Sequence, residues 1–408
     1  MQKFSISVTT VVLTFMLSAM PAESLAGPVG YQTGKTIYKP NRAYNGYTIC
    51  NIRATKDVSM IDMKGKIVHH WVHDEGKFMS TTPVPLPNGN LLVRDPRSYL
   101  EGAERILAEV DWDGNIVWQF YDPNYSLLHH DQRKLPNGNY LALAYHMRSE
   151  PTVAPFDIKD DFIFEVTPQG DVVWEWSTLD HFDQLGFDQA ALDAMADAEN
   201  FPYNEKVGDL FHTNSIQPLP ENKFFDRGHT EFRPGNILVS ERNTSIMFII
   251  DKATGDIVWK MGPRDGFTIG QHDPNMIEKG LKGAGNILVF DNGGRAGYPP
   301  EKYRPYTRVI EINPVKREIV WSYDGESSGV PRDSFFSEFT GNARRLPNND
   351  TLITEASWGR VFEIDRSGAV VWEWMSPYVY LKQNRLSRKI PRCYRVGLDW
   401  PTGPLDTP

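Results

Sequence analysis

Asp111-Trp112-Asp113-Gly114-Asn115-Ile116-Val117-Trp118 reads as a tight turn, with glycine where a positive φ is needed, running into a β-branched pair and a tryptophan. Apolar alternation in Ile106-Leu107-Ala108-Glu109-Val110, just ahead, makes the whole a β-hairpin. The same layout recurs at Met63 to Trp71, Thr167 to Trp174, Lys252 to Trp259, Val315 to Trp321 and Asp365 to Trp372. The closing tryptophans stand about 47 to 62 residues apart, with one longer gap between Trp174 and Trp259. Five of the six hairpins follow a second turn signal: Leu86-Pro87-Asn88-Gly89-Asn90, Leu135 to Asn139, Pro234-Gly235-Asn236, Gly285-Asn286 and Leu346-Pro347-Asn348-Asn349.

Two hairpins per repeat make four strands. Six such repeats predict an all-β fold, a six-bladed β-propeller of four-stranded blades. The tryptophans are expected to pack between neighbouring blades rather than to meet a ligand. The longer gap holds Asp188 to Ala198, the one clear helical run, within a helical insert at about 179–210. A second insert, Asn292 to Tyr306, is rich in Gly, Pro and Tyr. The first repeat lacks its leading hairpin. The tail at about 377–408 contains a candidate strand, Cys393-Tyr394-Arg395-Val396, that could complete the first blade and close the ring. Closure would bring Cys50 and Cys393 together as a disulfide; the alternative is two buried free thiols.

The 408 residues are 40% hydrophobic and 23% charged, with 32 Gly and 29 Pro for many turns. A net charge of −9 without a basic tract excludes a general nucleic-acid binder. Residues 1–26 read as a signal peptide: a charged start at Lys3, an apolar run from Phe4 to Met20 and the small-residue exit Ser24-Leu25-Ala26. The alternative is an uncleaved anchor helix. Cleavage would leave one domain at 27–408, periplasmic or secreted, without a membrane span.

Three histidines head apolar strands after polar loops: His130, His212 and His272. They are expected to share one phase of the repeat, and so to meet at the axis of the ring. Arg242 follows Ile237 to Glu241, read as an inner strand, and Asn214 lies two residues past His212. Asp131 and Asp273 directly follow two of the histidines and could fix their tautomers, although neighbouring strand residues point to opposite faces. Three imidazoles could bind zinc. A guanidinium among them would repel a cation and favours an oxyanion site instead. Any one of these histidines alone would be read as structural, capping a strand.

Taken together, His130-Asp131, Phe211-His212-Thr213-Asn214-Ser215-Ile216, Val239-Ser240-Glu241-Arg242, Gln271-His272-Asp273 and Leu288-Val289-Phe290-Asp291-Asn292-Gly293 resemble the bacterial aryl-sulfate sulfotransferases. These are periplasmic six-bladed propellers that work without 3′-phosphoadenylyl sulfate. The resemblance implies that His272 is the nucleophile, transiently sulfated, with His130, His212 and Arg242 holding the sulfuryl oxygens. Asn214, Asn292 and His129 stand as further substrate contacts. It implies ping-pong transfer from an aryl sulfate to a phenol, with His130 or His212 as the proton donor, no metal and no cofactor. Consistent with direct use of such a donor, no nucleotide-phosphate cradle is present. The chain departs from the family pattern in lacking an N-terminal β-domain and a closely spaced disulfide. The alternatives are a non-catalytic exported propeller that binds a partner, and a metal- or quinone-dependent propeller enzyme.

Overall fold

Each repeat folds as the turn signals predict, one four-stranded antiparallel sheet per repeat and six in all. The computed structural model describes residues 32–55, 57–71, 82–95, 105–197, 208–262, 265–298, 303–382 and 385–405. The proposed signal sequence lies outside them. Blade III runs through Leu128–Lys134, Tyr140–Arg148, Ile158–Val166 and Val172–Ser177, from the axis outward. Blade IV is Thr213–Pro218, Ile237–Glu241, Ile246–Ile250 and Ile257–Met261, and blade V is His272–Met276, Ile287–Asp291, Arg308–Asn313 and Glu318–Tyr323. Ile237–Glu241 is thus a second strand and not an inner one, because Thr213–Pro218 occupies the axis side of its sheet.

The repeated turns take the conformation their glycines allow: φ is +84° at Gly114, +95° at Gly170 and +83° at Gly255. The fifth repeat has no glycine there, and Arg317 adopts φ +55° in its place. Several blade edges are sewn to the next through an indole. Trp118 Nε1 donates to the Pro168 carbonyl, Trp259 Nε1 to Pro314 and Trp372 Nε1 to Met63. Apolar side chains gather into six buried clusters, each spanning the seam between two neighbouring blades. Every fully buried Ile or Phe in them contributes roughly 1.5–3 kcal/mol, so the ring's stability lies between blades as much as within them.

Closure is double. The tail strand Cys393–Gly397 becomes the axis strand of blade I, pairing Gly46–Ile52. Cys50 lies directly opposite Cys393 in that ladder, and the two form a disulfide. At the other end of the chain, Gly34–Tyr38, which the sequence reading passed over, adds a fifth strand to the outer edge of blade VI against Val370–Met375. The helical insert supplies a helix at Gln189–Ala196, started by the Asp188 carboxylate accepting from Ala191 N. Its Ala191 and Met195 are buried in the seam between blades III and IV. Residues 198–207 of the insert are not among those described.

Candidate active site

The three histidines arrive at the axis from blades III, IV and V, but not at one phase. His130 and His272 stand four residues before Lys134 and Met276, which face the first residues of their second strands, Tyr140 and Ile287. His212 stands six before the matching residue, Pro218 opposite Ile237; the matching position in blade IV is Asn214. His212 nonetheless reaches ring contact with His130. All three inner strands carry a register shift at their histidine end, and such bulges re-aim side chains. The backbone there is left-handed at His130 (φ +52°), His212 (φ +52°) and Asp273 (φ +48°), an uncommon state for residues with side chains.

His272 is buried and its tautomer is determined. Nδ1 faces two acceptors, Asn292 Oδ1 at 2.8 Å and the Gly270 carbonyl at 3.2 Å. The Asn292 amide cannot be reversed, because its Nδ2 donates to the carbonyls of Ser337 (2.7 Å) and Thr340 (2.8 Å). Nδ1 therefore carries the proton, and Nε2 keeps its lone pair, accepting only the Thr340 N–H at 3.1 Å. Thr340 is itself strained, a β-branched residue at φ +58°. Burial, then the neighbouring Arg242, His212 and Arg392 charges, hold the His272 imidazole well below its ordinary value, against a smaller opposite pull from Asn292. A neutral ring results.

His130 is half-buried. Its ring meets that of His212 edge-on, with centroids 4.6 Å apart. His129 Nδ1 lies 2.8 Å from its Nδ1. Burial first, then His212, His129, Arg94 and His272, keep its imidazole well below the usual range. His212 differs from both. Its Nδ1 sits 2.6 Å from Asp209 Oδ2. Burial would raise the Asp209 carboxyl, but His212, Lys159 and His129 hold it below its ordinary value. His129 Nε2 comes within 3.2 Å of Asp161 Oδ1, an ion-pair separation without hydrogen-bond alignment.

Arg242 starts the turn after Ile237–Glu241 and is buried. Its backbone N–H donates to the His212 carbonyl (3.1 Å), and its Nη1 donates to Asn243 Oδ1 (2.8 Å). A Cβ on Gly270, two residues before His272, would lie 3.9 Å from Arg242 Cγ. Asn214 is buried, with Nδ2 donating to the Gln271 carbonyl at 2.8 Å, and Oδ1 has no partner among the described residues. Asn292 stands behind His272 with both side-chain atoms engaged by protein. That geometry orients the ring.

Asp131 and Asp273 do not touch the histidine rings they follow. They turn to the far side of their strands and hold arginines. Arg133 and Arg392 bind Asp131, and Arg344 Nη2 lies 2.6 Å from Asp273 Oδ1. Lys389, on the same tail as Arg392, places Nζ 4.4 Å from the Phe339 ring centroid. Its ammonium is held well below the usual value by burial, then by Arg53, Lys382 and Arg242. Asp209, Arg392 and Lys389 carried no signal in the sequence: each belongs to a loop or tail without periodicity. Among the described residues no group of three or more His, Cys, Asp or Glu is arranged to hold a metal ion. What converges is cationic and hydrogen-bond-donating, suited to a small oxyanion.

A solved protein of unknown function from Bacteroides caccae shares the fold, at 14% identity and TM-score 0.52, over 86% of this chain and 98% of that one. A catalytically inactive virginiamycin B lyase from Staphylococcus aureus, solved with quinupristin, aligns at 11% identity and TM-score 0.41 over 85% and 89% of the two chains. No curated protein matches. The sequence profile described as Arylsulfotransferase (ASST) matches residues 83–377, a stretch that contains all three histidines and Arg242. The chain therefore belongs to the arylsulfotransferase family.

Proposed function

We propose that this protein moves a sulfuryl group from an aryl sulfate to a phenol by two displacements at His272. The observation that carries the reading is a neutral, buried imidazole whose Nδ1 is fixed by Asn292, leaving the lone pair on Nε2, with Arg242 and His212 nearby and His130 against His212. Sulfuryl transfer, like phosphoryl transfer, has a loose transition state, so alignment and charge neutralisation do most of the work. In the first step Nε2 attacks sulfur in line, the N–S bond forms, and the S–O bond to the aryl group breaks. The departing aryl oxide takes a proton from His212, whose imidazolium is stabilised by Asp209. In the second step the acceptor phenol gives its proton to His212, its oxygen attacks sulfur, and the N–S bond breaks to restore neutral His272.

Arg242 and His130 serve as donors to the sulfuryl oxygens. His212 is preferred to His130 as the acid and base because a carboxylate, Asp209, stands at its Nδ1. The Thr340 N–H that rests on Nε2 must give way as sulfur approaches, and is then placed to donate to a sulfuryl oxygen. The expected setting is an exported one, supported by the Cys50–Cys393 disulfide, a bond typical of oxidising compartments. Residues 1–26 would direct the export. Incubation with a chromogenic aryl sulfate and a phenol tests the proposal, alongside His272→Ala and His272→Asn. Turnover and a +SO₃ adduct by intact mass are expected only with His272 present; equal turnover in the variants would end the claim.

A further inference from the structure

We propose that Arg392, brought to the axis by the C-terminal tail, is a positioning residue for this transfer, supplying the surplus positive charge beside His272 and locking blades III, IV and V together. The inference rests on the proposed function. Arg392 lies outside the residues matched by the family profile.

Three guanidiniums serve two buried carboxylates at the axis. Arg133 binds Asp131 and Arg344 binds Asp273, so each carboxylate has a partner from an inner strand of its own. Arg392 is the third. Its Nη1 reaches both carboxylates, 2.9 Å from Asp131 Oδ1 and 3.4 Å from Asp273 Oδ1, while its Nη2 lies 3.5 Å from the Asn214 carbonyl. One side chain thus ties together the inner strands that bear His130, His212 and His272. Asp131 strengthens the tie by accepting the Ile216 N–H through Oδ2 at 3.0 Å.

The flanking backbone is equally engaged. The Pro391 carbonyl accepts the Gly341 N–H (3.0 Å), and the Asn342 side chain donates to the Cys393 carbonyl (2.8 Å). Residues 391–393 are therefore zipped to the segment just after Thr340, the residue whose N–H touches His272 Nε2. The Cys50–Cys393 disulfide anchors that segment covalently.

The groups facing His272 come from five directions. They are the Gly270 carbonyl in the loop before its strand, Asn292 behind it, Arg242 and His212 from blade IV, the Thr340 N–H ahead of blade VI, and Arg392 from the tail, with Asp273 next in sequence and His130 of blade III also within electrostatic reach. Burial does most to keep the ring neutral, with Arg242 and then Arg392 adding to it. Arg392 spends both Nη atoms on Asp131, Asp273, the Asn214 carbonyl and the Tyr394 hydroxyl, so it acts through field and framework and not by holding substrate.

The test compares Arg392→Met, Arg392→Lys and wild type as full-length oxidised proteins. Two readouts apply: the pH profile of kcat/KM with a chromogenic aryl sulfate, and the titration of His272 by histidine-selective NMR, assigned with His272→Asn. The neutral ring is the reactive one, so losing the charge should move the acid limb and the NMR midpoint upward by roughly half a pH unit or more. At neutral pH kcat should fall about tenfold or more while KM changes little, and Arg392→Lys should recover the limb. An unmoved limb and midpoint in Arg392→Met overturn the proposal, whatever the rate does. Should that variant not fold, Arg392→Gln replaces it with the same two outcomes. If wild type and His272→Asn prove equally inactive, the transferase reading fails by itself, and the NMR midpoint still decides the role of Arg392.

Discussion

Nδ1 of His212 stands 2.6 Å from Oδ2 of Asp209, and among the described residues no carboxylate hydrogen-bonds the rings of His130 or His272 in this way. One of three similar side chains is thereby built to take and release a proton, while another is held neutral as a nucleophile. Asp209→Asn should lower kcat about a hundredfold, the usual scale for losing acid–base assistance. The loss should be larger for donors whose phenol is a poor leaving group and should shrink for nitrophenyl sulfate. Measuring kcat across a series of leaving groups checks this.

Arg242 bears on the charge that develops on the transferred group. Arg242→Ala should cost about 3 kcal/mol of barrier, roughly a hundredfold in kcat. Arg242→Lys should recover only part of that, because a point charge cannot replace a planar fork of donors. Steady-state kinetics of the two variants separate these outcomes.

Asn292 sets which nitrogen of His272 carries the proton. In Asn292→Ala only the longer contact to the Gly270 carbonyl and the Thr340 N–H still hold the ring, so its orientation loosens, and kcat should drop at least about tenfold with KM little changed. Pre-steady-state formation of the sulfated enzyme should slow by the same factor.

Glu241 is buried, with one oxygen accepting from Thr244 and the other without a partner among the described residues. Burial, with Asp161 adding to it, pushes its carboxyl up to about 8 from an ordinary 4.5. The folded state thus holds a proton that the unfolded chain gives up more readily. Its contribution to stability is complete below about pH 4.5 and is lost as pH rises through about 8. Glu241→Gln should be more stable than wild type at pH 8, by on the order of 1 kcal/mol or more, with the gap closing toward pH 5. Thermal melts at the two pH values read the difference.

The Cys50–Cys393 bond joins residues 343 apart. Reduction, or Cys50→Ser, should cost several kcal/mol of stability, with about 6 kcal/mol the ceiling from the loop-entropy argument, visible as a lower Tm under reductant. The fifth strand of blade VI should keep the ring from opening outright.

The blades were legible because their signals are local. A glycine turn, a β-branched pair and a tryptophan recur within a few residues, and each element of the pattern has its own backbone reason. The gathering of the histidines was legible only in outline. A shared phase is the wrong basis for it: His212 is two residues out of step, yet its ring meets that of His130. For Asp131 and Asp273 the sequence left two options, fixing the rings they follow or pointing to the opposite face; the period of two along a strand prevails and sends them to arginines on the other side. Asp209 is three residues from His212, yet nothing in the loop marks it. Arg392 is one of several basic residues in the tail, and no periodicity singles it out.

Short-range steric preference and hydrophobic alternation, written in the order of the residues, determined that this chain makes six four-stranded sheets and closes them with its C-terminal strand. Only the tertiary structure decided which nitrogen of His272 is free, which histidine has a carboxylate behind it, and which arginine from the tail reaches the axis. Those outcomes depend on charges and hydrogen bonds between residues up to hundreds of positions apart, whose strength is set by burial that exists only once the ring has closed.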